Sequence, residues 1–133
     1  MTEENLIEVR GVKKMFGAYL AVDNLSMDVR RGEIVVLLGQ TGAGKSTVLN
    51  LIMGTTCPDS GQIRVAGFDP YTSFKALKGR LSVSFQTDRL LPWRTAIENV
   101  ELGLLILGKS RSQARERARE WLCLLYTSDA ADE

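Results

Sequence analysis

The spacing of hydrophobic and polar residues changes several times along this chain, and each spacing predicts a different element. Apolar and polar side chains alternate over much of residues 6–15 and 20–29, which predicts two strands near the N-terminus. Residues 33–38 form a nearly unbroken apolar run, which is typical of a parallel strand buried on both faces. Residues 45–53 space their apolar side chains for one face of a helix. The order of these elements predicts an antiparallel sheet attached to an α/β core.

Short strands and turns are expected after this first helix. Residues 58–61 carry a turn signal, and residues 62–66 after it predict a short strand. The alternation of residues 81–85 predicts another strand. Residues 71–77 are ambiguous, with one helical turn or more as an option. These segments add two strands to the expected fold.

Two capping motifs predict helices in the last third of the chain. Thr95 and Glu98 have the spacing of a capping box, which predicts a helix that runs to about Leu107. Ser110 and Gln113 form a second such pair, and the apolar residues after it share one face of a helix. The opposite face of that second helix is densely charged, which is typical of solvated surface.

The composition fits one soluble globular domain and excludes several classes of site. The 133 residues are 44% hydrophobic and 25% charged, and 17 basic against 16 acidic residues give a net charge of +1. This balance gives no support for a nucleic-acid partner, because such proteins usually carry a basic surplus. Two cysteines give no disulfide framework. The lack of histidine excludes a Ser-His or Cys-His couple and any His-ligated metal.

A glycine-rich motif directly follows the apolar run. Residues 39–47 fit G-x-x-x-x-G-K-[ST], the phosphate-binding loop of nucleotide hydrolases. Glycines let the backbone approach the phosphates closely, and the N–H groups at the start of the next helix face the anion. Lys45 reaches the β- and γ-phosphates, and the hydroxyl of Ser46 is placed to ligate Mg²⁺. The predicted nucleotide-binding residues of this loop are Gly39, Gln40, Thr41, Gly42, Ala43, Gly44, Lys45, Ser46 and Thr47.

Further motifs, spread over residues 1–122, make the chain similar to the ATP-binding subunit of ABC transporters. Residues 84–87, at the end of a predicted strand, resemble the family's Q-loop. Residues 90–95 and 97–100 have the pattern of importer subunits, and residues 87–95 are similar to those of the nitrate, sulfonate and taurine group. The resemblance implies an α/β fold with a P-loop NTPase core and an N-terminal antiparallel β subdomain, incomplete at the C-terminus. It also implies ATP and Mg²⁺ as cofactors and ATP hydrolysis as the activity of the whole subunit.

Gln86 and Phe16 receive their roles from this resemblance. Gln86 would bind Mg²⁺ with Ser46 and act in catalysis with Lys45, by offering its side-chain oxygen to the metal or to the attacking water. Ligands of open parallel sheets lie outside the carboxyl ends of the strands, and Gln86 and Gly39 each end a predicted strand. Phe16 occupies the place of the family's aromatic loop residue, which is more often Tyr. It would stack on adenine, a contact worth about 1 kcal/mol.

The same resemblance implies two protein partners. The loop from Gln86 to Trp93 is expected to contact a transmembrane permease subunit. Leu90 and Trp93, close to a proline-fixed bend, suit the apolar core of such an interface. In the family two ATP-binding subunits sandwich ATP, so a second ATP-binding subunit is also expected. These partners imply a peripheral position on the cytoplasmic face of the cell membrane.

Several motifs of the family do not occur in the 133 residues. The Leu-Ser-Gly-Gly-Gln signature, the aspartate that closes a second apolar strand, the adjacent catalytic glutamate and the switch histidine are missing. Residues 1–122 are therefore interpreted as the N-terminal half of an ATP-binding domain, and residues 123–133 as a non-native, disordered tail. On this interpretation, the isolated chain binds nucleotide weakly and does not hydrolyse it.

Three other functions compete with that of a transporter ATPase. A soluble, non-transport ABC-type ATPase of DNA repair or translation is disfavoured by the balanced charge and by the importer-like loop after Gln86. A different phosphate-loop enzyme is the second alternative, such as a small-molecule kinase or a GTPase. The Asn-Lys-x-Asp motif of GTPases does not occur in the sequence. A nucleotide-binding module without catalysis is the third.

Overall fold

A three-stranded antiparallel sheet organises the N-terminal part of the chain in the computed structural model. β1 (Asn5–Phe16) lies in the middle, with β2 (Tyr19–Arg30) on one side and β3 (Ser60–Val65) on the other. Val9 on β1 and Ile63 on β3 are Cα partners, and both side chains are buried. Because successive side chains of a strand point to opposite faces, the alternation in the sequence leaves one face of this sheet apolar. The two N-terminal strands and the strand after residue 60 are thus confirmed.

The chain divides into two compact units, residues 1–81 and residues 82–133. The structure describes residues 5–85, 87 and 89–129. Within that described part, no helix is both long enough and apolar enough to cross a membrane.

The hydrophobic core of the first unit lies between the sheet and one helix. α1 (Lys45–Ile52) contacts β2 and β3, and a 3-10 turn at Phe74–Leu77 adds one more apolar side chain. Burial of these side chains is the main favourable term in folding. The buried core residues are Val9, Val12, Val22, Val48, Leu51, Ile52, Ile63, Val65 and Leu77.

Two helices that contact each other form most of the second unit, α2 (Ala96–Ile106) and α3 (Arg111–Asp129). The predicted capping box of α2 is confirmed. The backbone N–H of Thr95 donates to Glu98 Oε2 at 2.9 Å, and the N–H of Glu98 donates to Thr95 Oγ1 at 3.4 Å. Two backbone donors that a helix start would otherwise leave unpaired are satisfied in this way. In α3 the side chains of Ala114 and Ala118 are fully buried.

The strands predicted at residues 33–38 and 81–85 are wrong for this structure, because neither run is assigned to a strand. Ile34 is 91% exposed and Leu38 is 88% exposed, whereas Leu37 packs against the core. A strand exists through hydrogen bonds to a neighbouring strand, and the described sheet ends at β2 on one side and at β3 on the other. In the described part of the chain neither run pairs with β1, β2 or β3, so the apolar pattern alone does not produce strands.

The C-terminal residues also differ from expectation. Disorder was expected from residue 123 onward, whereas α3 continues through Asp129. Residues 123–129 contain no glycine or proline to end the helix, and leucine at 124 and 125 favours it. Residues 130–133 lie outside the described part of the chain.

Candidate phosphate-binding site

The predicted phosphate loop joins the exposed apolar run to the first turn of α1. Gly42 and Gly44 adopt positive φ values of 86° and 81°, a conformation that glycine adopts without steric cost. Gly44 is the N-cap of α1, and its carbonyl accepts the first intrahelical bond from the N–H of Val48 at 2.9 Å. The N–H groups of Lys45, Ser46 and Thr47 precede that bond and have no partner within the helix. The loop therefore presents backbone donors at the positive end of α1.

Lys45 folds back over this loop. Its Nζ donates to the carbonyl of Gly39 at 2.6 Å and to that of Gln40 at 2.7 Å. The N–H of Ala43 donates to the same Gln40 carbonyl at 3.1 Å. The ammonium is thereby held at the loop, where an incoming phosphate oxygen competes with two neutral carbonyls. A phosphate oxygen adds the attraction of opposite charges to the hydrogen bond, which favours the phosphate over a neutral carbonyl.

Ser46 lies on the first turn of α1 with its side chain exposed. A hydroxyl oxygen is one of the hard oxygen ligands that Mg²⁺ prefers, and Mg²⁺ takes one or two protein oxygens beside those of a bound nucleotide. In the described part of the chain, no three His, Cys, Asp or Glu side chains lie together as a metal group. The single hydroxyl of Ser46 fits a cation that takes its other oxygen ligands from phosphates and water.

The far end of the β1–β2 hairpin lies against the loop. Phe16 and Tyr19 are Cα partners there, and Phe16 is 52% exposed with its ring 5.5 Å from Lys14 Nζ. The hydroxyl of Tyr19 donates to the carbonyl of Gly42 at 2.7 Å. The structure thus brings the aromatic residue and the phosphate loop, predicted as parts of one site, together through a tyrosine. Tyr19 was not predicted as a site residue, although it is an aromatic residue three positions after Phe16.

The backbone of β2 also touches the loop directly. A Cβ atom placed on Gly44 would lie 2.2 Å from the carbonyl oxygen of Ala21. Any side chain at this position requires the strand or the helix to shift, so a glycine is needed for packing as well as for its φ value. The start of α1 is therefore fixed against β2.

Asp59 ties the end of β1 to the turn before β3. Its carboxylate accepts from Lys14 Nζ at 2.8 Å and from the Met15 N–H at 2.6 Å, and its own N–H donates to the Lys13 carbonyl at 2.9 Å. The hydrogen bond from Lys14, followed by that from Met15, holds the pKa of the Asp59 carboxyl below its usual value. Because Phe16 follows these residues directly, Asp59 orders the strand end that carries the aromatic ring.

The loop predicted to meet a permease belongs to the second unit. Gln86 lies outside the described residues, so its predicted role remains a prediction. Leu90 is 70% exposed and Trp93 is 76% exposed. The side chain of Asn99 on α2 holds the backbone of Leu91, because Oδ1 accepts from the Leu91 N–H at 2.8 Å and Nδ2 donates to the Leu91 carbonyl at 3.2 Å. Leu90 and Trp93 are thus exposed on either side of a backbone position that Asn99 holds.

Comparison with known proteins gives a consistent match. The sequence profile of a family described as ABC transporter matches residues 22–133. The chain is similar to the Fe(3+) ions import ATP-binding protein FbpC of Escherichia coli O157:H7, with 36% identity over 126 residues, 94% of this chain and 36% of FbpC. It is similar to the spermidine/putrescine import ATP-binding protein PotA of Nitrosospira multiformis, with 41% identity over 117 residues, 88% of this chain and 32% of PotA. The chain spans about a third of the length of these curated relatives.

Solved structures give the same likeness. The ATP-binding cassette MJ0796, a dimer in a post-hydrolysis state with ADP and phosphate, matches with a TM-score of 0.71 and 30% identity, over 86% of this chain and 54% of that chain. A second dimeric structure of MJ0796, a bacterial ABC transporter cassette, matches with a TM-score of 0.74 and 31% identity, over the same shares of 86% and 54%. These likenesses confirm the predicted fold class, an α/β P-loop NTPase core with an antiparallel β subdomain.

Proposed function

The chain belongs to the ABC transporter family, and we propose that it is part of an ATP-binding subunit that energises a membrane importer by binding and hydrolysing ATP. One observation carries this proposal. A lysine is held over a glycine-rich loop whose following helix presents unpaired N–H groups, as an arrangement for a triphosphate requires. The names of the similar proteins describe import ATP-binding proteins, which supports the same function.

The phosphates of ATP lie, in this proposal, against residues 39–47. The N–H groups at the start of α1 bind the phosphate oxygens, and Lys45 leaves the carbonyls of Gly39 and Gln40 to bind the β- and γ-phosphates. The charge that develops during phosphoryl transfer is stabilised by the same cation, which gives Lys45 a catalytic role. The open space around Gly42 supports the close approach of a ligand to the backbone.

Mg²⁺ is proposed to be held by Ser46 and Gln86. The exposed hydroxyl of Ser46 supports this, whereas the part of Gln86 rests on the sequence resemblance. When bound, Mg²⁺ neutralises phosphate charge and orients the β- and γ-oxygens. The chain's own contribution is a neutral oxygen at each of two positions.

Adenine is proposed to stack on Phe16. The ring is half exposed, and the Phe16–Tyr19 end of the hairpin is bonded to the phosphate loop, which supports a base and a phosphate chain in one site. Lys14 lies 5.5 Å from the centre of the ring and adds a cation beside the base. Replacing Phe16 with Ala is expected to lower the affinity for ATP about fivefold, which corresponds to the loss of one stacking contact of about 1 kcal/mol.

Two protein contacts complete the proposed subunit. The exposed Leu90 and Trp93, on the loop that follows Gln86, support a contact with a membrane permease. A second ATP-binding subunit is proposed to close the nucleotide site, and the dimeric cassettes of similar fold support this. Both contacts imply that the subunit is a peripheral protein at the cytoplasmic face of the cell membrane.

A narrower proposal concerns the transported compound. Residues 87–95 support a transporter of the nitrate, sulfonate and taurine group. The names of the similar proteins give other cargoes, Fe(3+) ions and spermidine or putrescine. Uptake assays with the whole transporter decide between these cargoes, and uptake of iron or polyamines instead of the anions would reject the narrower proposal.

Nucleotide binding is tested on the 133-residue chain itself. Titration with ATP and Mg²⁺, followed by amide resonances, is expected to shift the signals of residues 39–47. Lys45→Ala removes a charge-assisted contact worth about 1.5–3 kcal/mol and is expected to weaken ATP by about tenfold or more. Lys75→Ala, on the 3-10 turn, is the matched control and is expected to bind as the unsubstituted chain does. Unchanged resonances throughout residues 39–47 at millimolar ATP would reject the proposed function.

A further inference from the structure

We propose that Tyr19 is a positioning residue of the phosphate loop, which fixes the direction of the peptide between Gly42 and Ala43. The inference deepens the proposed nucleotide-binding function and rests on it. Tyr19 lies outside residues 39–47 and reaches the loop from the first position of β2.

Both ends of this peptide are bonded within the structure. The carbonyl of Gly42 accepts from the Tyr19 hydroxyl at 2.7 Å, and the N–H of Ala43 donates to the Gln40 carbonyl at 3.1 Å. Rotation of the peptide by half a turn would break both bonds. Tyr19 therefore acts together with the Gln40 carbonyl to set the side of the peptide that carries the oxygen.

The loop needs such a restraint because of its glycines. Gly42 has a φ of 86° and no heavy atom within 4 Å of the place a Cβ would take, so local packing does not hold its peptide. A phosphate site works by converging N–H groups, and a carbonyl oxygen turned toward the phosphates would repel them. A hydroxyl donor aimed at that oxygen excludes the unfavourable orientation.

The bond from Tyr19 differs from those of Lys45 in one respect. Lys45 holds the carbonyls of Gly39 and Gln40 and has to release them in order to reach a phosphate. Tyr19 holds a different carbonyl, so its bond persists when the lysine moves. Of these side-chain bonds to the loop, the one from Tyr19 is the restraint that remains while a nucleotide is bound.

The position of the hydroxyl is itself fixed by β2. Tyr19 is the Cα partner of Phe16, and two residues further along the strand Ala21 lies against Gly44. The residue is 56% exposed, so its ring is not part of the hydrophobic core. The group that contacts the loop is the hydroxyl. Tyr19→Phe deletes this group and keeps the ring.

The test compares Tyr19→Phe with Tyr71→Phe, an exposed tyrosine elsewhere in the first unit. Binding of Mg²⁺ with tripolyphosphate and of Mg²⁺ with ATP is followed by amide resonances of the 133-residue chain. We expect Tyr19→Phe to lower the affinity for both ligands by the same factor, roughly two- to tenfold, as the loss of one hydrogen bond predicts. We also expect its Ala43 amide signal to shift before any ligand is added, with an unchanged thermal midpoint. Tyr71→Phe is expected to change neither affinity nor signal.

Each other outcome decides against the inference in a distinguishable way. If Tyr19→Phe binds tripolyphosphate as tightly as the unsubstituted chain does, the inference fails while the proposed function stands. A loss for ATP without a loss for tripolyphosphate would assign Tyr19 to the base and reject its role in the loop. If Tyr19→Phe lowers the thermal midpoint and weakens the binding of both ligands in proportion, Tyr19 stabilises the fold in general and has no specific role in the loop. If the unsubstituted chain binds neither ligand, the proposed function fails and takes the inference with it.

Discussion

The side-chain amide of Asn99 bonds to both backbone groups of Leu91, eight residues earlier in the chain, with distances of 2.8 Å and 3.2 Å. The same Nδ2 lies within hydrogen-bonding distance of the carbonyls of Arg94 and Thr95, at 3.2 Å and 3.0 Å. One amide side chain thus satisfies backbone groups of the turn that precedes α2. The exposed loop around Trp93 is ordered from within the helix that follows it.

Asn99→Asp is expected to free this loop. The carboxylate still accepts from the Leu91 N–H, but it donates nothing and faces three carbonyl oxygens, which is unfavourable because buried or half-buried acceptors need a donor. Hydrogen exchange of the Leu91 and Arg94 amides is expected to accelerate by about tenfold, which corresponds to roughly 1.4 kcal/mol. Asn50→Asp on α1 serves as the control. Unchanged exchange in Asn99→Asp would mean that the loop is held by something other than this amide.

Gly44 and Gly42 offer a matched pair of substitutions. Alanine at either position pays for a positive φ, about 1–2 kcal/mol. Alanine at Gly44 also meets the Ala21 carbonyl oxygen, whereas alanine at Gly42 meets open space. The free energy of unfolding of Gly44→Ala is therefore expected to be lower than that of Gly42→Ala by about 1–3 kcal/mol, the usual range for overpacking. Chemical unfolding measures this difference. Equal losses for the two variants would contradict the close approach of α1 to β2.

Asp59 is expected to make the stability of the first unit depend on pH. Its pKa is lowered in the folded chain, so its contribution is fully present above the pKa of an unfolded aspartate, about 4, and is lost as the pH falls through the lower folded value. Asp59→Asn is expected to unfold at a lower temperature than the unsubstituted chain near pH 6–7. The two curves are expected to converge as the pH drops below about 4.

The control for this experiment is Asp23→Asn, which removes a more exposed partner of Lys13 at 3.4 Å on the same sheet. Exposed ion pairs contribute little, so the difference from the unsubstituted chain is expected to be small at pH 6–7. A difference for Asp59→Asn that persists unchanged at pH 2 would rule out the ionised carboxylate as its cause.

Ile34 and Ile63 are the same residue type in opposite surroundings. Ile34 is 91% exposed in the apolar run before the phosphate loop, and Ile63 is 4% exposed in the core. Ile63→Ala is expected to lower the free energy of unfolding by about 2–5 kcal/mol. Ile34→Ala is expected to change it by less than about 0.5 kcal/mol and to reduce self-association at high concentration. A large loss of stability in Ile34→Ala would indicate that residues 33–38 are buried in solution.

The features predicted well from the sequence are local ones. The cap of α2 was predictable because Thr95 and Glu98 satisfy each other's backbone donors within one turn. Ser110 and Gln113 exchange the same two bonds before α3, each at 3.3 Å. The start of α1 at Lys45 was predictable because a glycine-rich turn and the first apolar positions of the helix are adjacent in the chain.

The features that escaped prediction depend on distant residues. The apolar run at residues 33–38 reads as a strand, but a strand needs a partner, and pairing is not encoded in its own residues. Tyr19 bonds to Gly42 across 23 positions, and Asp59 bonds to Lys14 across 45. The sequence does not indicate which residues they contact, and the folded arrangement shows these partners.

The hydrogen bonds between Lys45 and its own loop set a minimum strength of interaction that an anion has to exceed in order to bind there. Two short hydrogen bonds keep Lys45 on its own backbone, and an anion has to offer more than those carbonyls do before the ammonium turns outward. Chloride or a singly charged carboxylate brings one negative charge, whereas a polyphosphate brings several charged oxygens at once. Among the many small anions dissolved around the protein, the loop is thereby reserved for the densely charged ones.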